Sequence, residues 1–105
     1  MLPPVDVRIT EPELQYKFNC NEGGYPSKID SLRKENTYYE LARPQSGQPV
    51  GTMSVVDKYW DGELPVMVLH WFELPSGHLG ASGLLDPKRL LVLRVSYFTG
   101  QAPTV

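Results

Sequence analysis

The run VVDKYWDGELPVMVLHWFEL, residues 55–74, decides the fold. An Asp61-Gly62 pair parts two apolar stretches in it. Asp-Gly in that setting is a strong short-range hairpin signal, because the turn positions need positive φ. The arms read as strands over Val50–Trp60 and Glu63–Leu74. In the second arm Val66, Val68 and Phe72 alternate with Met67, Leu69 and Trp71, so both faces are apolar. Such a strand is covered on both sides and sits centrally in its sheet.

Working outward, Thr37–Arg43 reads as a strand with Tyr39 and Leu41 on one face and Tyr38 and Glu40 on the other. A proline-bounded turn, residues 44–49, joins it to the hairpin. Val5, Val7 and Ile9 alternate with Asp6, Arg8 and Thr10 as a first strand. Leu90–Phe98 alternates too, with Leu91, Leu93, Val95 and Tyr97 facing in and Arg94 and Ser96 facing out. Ahead of it, Asp86-Pro87-Lys88-Arg89 reads as an N-cap, a proline at the first helical position and one helical turn. Ser27 is positioned to cap a short helix over Lys28–Glu35, ended by Asn36.

Leu14–Phe18 supports two readings. Thr10-Glu11-Pro12-Glu13 has the form of a capping box with an early proline, followed by Leu14 and Phe18 at helical spacing. Leu14, Tyr16 and Phe18 also alternate with Gln15 and Lys17 as in a strand. The aromatic content, and the need of the first strand for a neighbour, favour the strand.

A chain of 105 residues, 41% hydrophobic and 21% charged, fits one globular domain over 1–105. Residues 99–105 are patternless and read as a poorly ordered tail. Ten prolines and nine glycines favour short elements. The fold class expected is α+β: a mainly antiparallel sheet of five or six short strands with one or two short helices. A small all-β sandwich or barrel is the alternative.

The net charge is −2, with six basic and seven acidic side chains over residues 1–53 and four and five over 54–105. Neither half carries the cationic excess that phosphate binding calls for, which argues against nucleic acid as a partner. The one cysteine, Cys20, cannot form an internal disulfide and reads as a small, partly buried residue in a reducing compartment. The N-terminus MLPPVDVRIT lacks the basic and apolar regions of a secretory signal. The longest strongly apolar run, residues 64–72, is far shorter than the ~20 residues that span a bilayer. A cytoplasmic protein without a membrane partner is expected.

Both histidines, His70 and His78, lie in one stretch with Glu73 between them. In an extended strand His70 and Glu73 point to opposite faces. If Leu74 pairs with His78 after the Pro75-Ser76-Gly77 reversal, His70 stands opposite Ser82, about 13 Å from His78. Zinc holds ligand nitrogens at roughly 2.0–2.1 Å, so no metal site is expected. His70 reads as a sheet histidine bonded to Ser82 or a tyrosine, and His78 as a turn-edge residue. There is no G-x-S-x-G elbow, no H-E-x-x-H and no phosphate loop. No catalytic residue and no cofactor is assigned.

What remains is a surplus of strand-borne aromatics, with Tyr59 and Trp60 beside the hairpin turn. The function expected is a non-enzymatic module that binds a protein partner or self-associates through an aromatic sheet face or an edge strand. Tyr59, Trp60, His70, Trp71 and His78 are its candidate binding residues. The alternative is an enzyme or small-ligand protein with His70 lining a pocket closed by Gly77–Gly83. A single-stranded nucleic-acid binder ranks third.

Overall fold

The hairpin at Asp61-Gly62 forms as expected and anchors the sheet. In the computed structural model, which describes residues 2–80 and 85–100, its arms are β3 (Met53–Asp61) and β4 (Leu64–Glu73). Asp61 pairs with Leu64, so the turn residues are Gly62 and Glu63, one position later than the sequence suggests. Only Gly62 takes positive φ, at 61°. That is the pattern of a hairpin turn whose first position alone demands glycine.

The other elements are β1 (Val5–Arg8), α1 (Glu11–Asn19), a 3-10 helix over Pro26–Ser31, β2 (Arg33–Leu41), a 3-10 turn over Pro44–Ser46, β5 (Asp86–Val92) and β6 (Val95–Phe98). The six strands form one sheet in the order β1-β6-β5-β4-β3-β2. Every neighbouring pair is antiparallel except β1 and β6, which run parallel. The fold is therefore α+β with a mostly antiparallel sheet, and β4 is central.

Leu14–Phe18 is helical, not a strand. Thr10 accepts from the Glu13 amide, the Glu13 carboxylate accepts from the Thr10 amide, and Pro12 sits in the first turn. This reciprocal cap satisfies N–H groups that a helix start leaves open. The helix aims Leu14 and Phe18 at the core while Tyr16 stays exposed. The alternation was coincidental, and β1 finds its neighbour in β6 instead.

Three further expectations are corrected. Pro26–Ser31 makes only a 3-10 helix, Leu32 is extended, and β2 opens at Arg33. Ser27 donates to the Gly24 carbonyl and caps nothing. Asp86-Pro87-Lys88-Arg89 is strand: Pro87 falls beside a register shift opposite Val68 and Leu69, where a missing ladder N–H is tolerated. Leu90–Phe98 is two strands, because Val92 pairs with Val95 across a tight turn at Leu93 and Arg94. Leu93, expected inside, is 87% exposed.

Strand partners share a face, so Tyr59, Met67, Leu90 and Tyr97 lie in one row across four strands. Leu14 packs on this face with Met67, Leu69 and Leu90, and Tyr25, Ile29 and Leu32 add to the cluster. Gly23 carries that loop over β5, where a Cβ would lie 2.5 Å from the Leu91 carbonyl oxygen. Full burial of Leu14, Met67, Leu69 and Leu90 gives roughly 1.5–3 kcal/mol apiece. The opposite face bears Ser54, Val56, Lys58, Val68, His70, Phe72, Arg89 and Ser96. Among the described residues the only helical element bordering it is the short 3-10 turn over Pro44–Ser46.

Of the segment expected as a tail, Thr99 is buried and its N–H donates to the Lys88 carbonyl. Residues 101–105 lie outside the described residues. No helix among the described residues is long and apolar enough to cross a membrane.

Candidate functional site

The uncovered face holds two kinds of structure: a polar chain across three strands, and a hollow. The chain begins at Ser54 on β3. Its Oγ lies 2.8 Å from His70 Nε2, and His70 Nδ1 faces Asp86 Oδ2 at 3.7 Å. With Nδ1–H turned to the carboxylate, Nε2 accepts from the Ser54 hydroxyl. Lys88 then contacts Asp86 at 2.9 Å and Glu11 of α1 at 3.4 Å. Burial pushes the Asp86 carboxyl up, but hydrogen bonds from His70 and Lys88 and the Lys88 charge hold it below its ordinary value. Burial lowers Lys88, and the Asp86 hydrogen bond and charge, with Glu11, more than offset it and raise it.

Serine, histidine and aspartate in that order match a hydrolase triad. Two features oppose the chemistry. Lys88, closer than His70, competes for the carboxylate that would hold an imidazolium. Ser54 also lies inside β3, paired to Glu40 on one side and Phe72 on the other. Amides on both flanks belong to the ladders, so among the described residues β3 offers Ser54 no convergent pair of N–H groups for an oxyanion. The chain is a set of satisfied polar groups that ties β3, β4, β5 and α1 together.

The hollow lies beside it, over β2, β3 and β4, with a volume of about 670 Å³. Val56, Val68 and Phe72 form its floor, Tyr38 and Leu41 one wall, and Arg43 its rim. Lys58 borders both this hollow and a smaller one of about 240 Å³ near β1. Its stem is buried and its ammonium lies 4.5 Å from the Trp60 ring.

The five candidate residues do not converge. Tyr59 is in the core beneath the helices, where burial, then the Asp57 and Asp30 charges, raise its phenol. Trp60 lies on the uncovered side, with Arg33 4.9 Å and Lys58 4.5 Å from its ring and its Nε1 donating to Glu35. Trp71 shares the helix-covered face and donates to buried Asp57 at 2.9 Å. His78 is exposed; its carbonyl accepts from Leu74, the register expected for this reversal. His70 lies opposite Asp86 in the sheet, and Ser82 is outside the described residues. His70 and Gly80 both border a further hollow of about 540 Å³ with Trp71 and Asp86. Residues 81–84, part of the glycine-rich segment, lie outside the described residues.

Sequence reasoning missed Ser54, Arg43 and Lys58. The diagonal between Ser54 and His70 depends on the hairpin register, and a two-residue loop at Asp61-Gly62 pairs different residues. The shifted turn and the irregularity after Tyr59 create the contact. Among the described residues, no three His, Cys, Asp or Glu side chains stand close enough to hold a metal. Comparison with protein-family models, curated proteins and solved structures found no match to the chain.

Proposed function

We propose that this chain is a non-enzymatic recognition domain that associates with a second copy of itself through β2. One observation carries the reading. β2 is a nine-residue edge strand, exposed at every position, with Arg33 at one end and Glu40 at the other. Edge strands present unpaired N–H and C=O groups and readily add another strand.

The charges select the occupant. Arg33 lies with Lys58 against the Trp60 ring, and Glu40 pairs with Ser54, so both belong to the uncovered face. The register shift at Thr37 is what brings them to the same side. In an antiparallel pair of β2 strands, Arg33 of each copy meets Glu40 of the other. Tyr38 and Tyr39 lie along the seam, which moves the aromatic contact from the hairpin tip to the edge. The same charges oppose parallel or misaligned pairing, so they give specificity as well as attraction. Such an interface is isologous and closes at two copies. A cytoplasmic setting suits Cys20, an exposed thiol with no second cysteine in the sequence.

The test is a charge swap read by sedimentation velocity from micromolar to millimolar protein. The wild type is expected to dimerise, Arg33→Glu and Glu40→Arg each to remain monomeric, and the double variant to recover the dimer. A monomeric wild type throughout the range, or a double variant no better than either single one, overturns the proposal. Circular dichroism checks that each variant is folded.

A further inference from the structure

We propose that the hollow over β2, β3 and β4 binds a small organic carboxylic acid with an apolar body. This does not rest on pairing of β2, because every lining group comes from one chain. The volume of about 670 Å³ suits a small molecule, since ligand pockets run from roughly 300 to 1,000 Å³. The floor of Val56, Val68 and Phe72 supplies the apolar surface, and Tyr38 and Leu41 supply a wall.

The polar groups choose the head of the ligand. Three lining hydroxyls are already engaged: Thr37 donates to the Val56 carbonyl, Ser46 to the Arg43 carbonyl, and Ser54 shares its hydrogen bond with His70. The charged groups on the lining are Arg43 and Lys58, both cations. Neither takes part in an ion pair among the described residues. Lys58 is only 7% exposed. Its stem is buried, and its ammonium, which the Trp60 ring satisfies only in part, has no carboxylate within ion-pair distance among the described residues. An apolar floor under two unpaired cations is complementary to an apolar acid. It opposes cationic ligands, and with a neutral ligand only the apolar floor contributes.

Decanoate, below its micelle concentration, is the probe, with decanol as its neutral counterpart and amide chemical shifts as the readout. Saturable decanoate binding is expected, with shifts at Ser54, Val56, Val68 and Phe72. Decanol should bind at least roughly tenfold more weakly, as loss of a hydrogen bond to a charged group implies. Lys58→Met, which keeps an apolar stem, should lose about the same. Arg43→Gln, at the exposed rim, should weaken binding less, and Val56→Trp should block it by filling the hollow. If Lys58→Met fails to fold, the other two variants and the decanol comparison still decide. Equal affinity for decanol, shifts centred on His70 and Gly80, or no saturable binding overturns the proposal. So does retention by anionic phospholipid vesicles without binding of free decanoate. Repeating the titration across the protein concentrations used for sedimentation keeps the result independent of the oligomeric state.

Discussion

Asp57 is 3% exposed, and its carboxylate is held by two neutral donors. Trp71 Nε1 reaches one oxygen at 2.9 Å and Asn36 Nδ2 the other at 3.1 Å. Asn36 also donates to the carbonyls of Tyr38 and Val56, so this cluster pins β2 to β3 where the register slips. Removing the carboxylate leaves the indole N–H without an acceptor in a dry place and takes from the Asn36 amide one of its three acceptors. Asp57→Ala is expected to lower stability by roughly 2–3 kcal/mol in urea unfolding, with Asp57→Asn losing less. The residue was visible in the sequence. Its role was not, because both partners come from other strands.

Short reversals set the order of the elements, and one of them is strained. Leu93 takes φ 55° between β5 and β6, with its side chain in solvent. A left-handed conformation is unfavourable for a residue with a Cβ, and Leu93 recovers nothing by burial. Leu93→Gly is expected to stabilise the domain by roughly 0.5–1 kcal/mol in thermal or chemical unfolding, the relief of strain exceeding the added freedom of the unfolded chain. No change, or a loss, would show that the turn is not under strain. This reversal also explains why the alternation over 90–98 misled: period-2 patterning continues through a two-residue turn without signalling it. Pro87 misled for a similar reason. Its fixed φ serves an extended strand as well as a helix start, and only the irregularity on β4 shows which applies.

At the scale of the molecule, the array from Ser54 to Glu11 joins the uncovered face to α1, and it makes stability depend on pH. The folded Asp86 carboxyl titrates below its ordinary 3.8. Its contribution is therefore present above that value and lost as pH falls through the folded one. The folded Lys88 titrates above its ordinary 10.5, so its contribution is present below that value and lost as pH rises through the folded one. Thermal unfolding across the acid-to-alkaline range should show both limbs, and Asp86→Asn should flatten both. Some acid dependence should survive in the variant, because the Thr10 hydroxyl hydrogen-bonds Glu13 and holds it below its ordinary range. Both groups of the Asp86–Lys88 pair are partly open to water, so added salt should shrink the effect. An Asp86→Asn profile identical to the wild type would show that the array contributes nothing.

The amino-acid sequence alone determined the α+β class, the central apolar strand and the hairpin at Asp61-Gly62, because periodicity, composition and turn chemistry act over neighbouring residues. It also contained the cap of α1, in Thr10 and Glu13, but left two local readings in balance. Tertiary structure decided between them, since only a helix covers Met67 and Leu90. It alone placed Ser54 against His70, Arg33 on the same side as Glu40, and Lys58 beside an apolar hollow. Those relations depend on register shifts near Thr37, after Tyr59 and at Pro87. A one-residue slip moves every later side chain to the other face, and no local pattern records it.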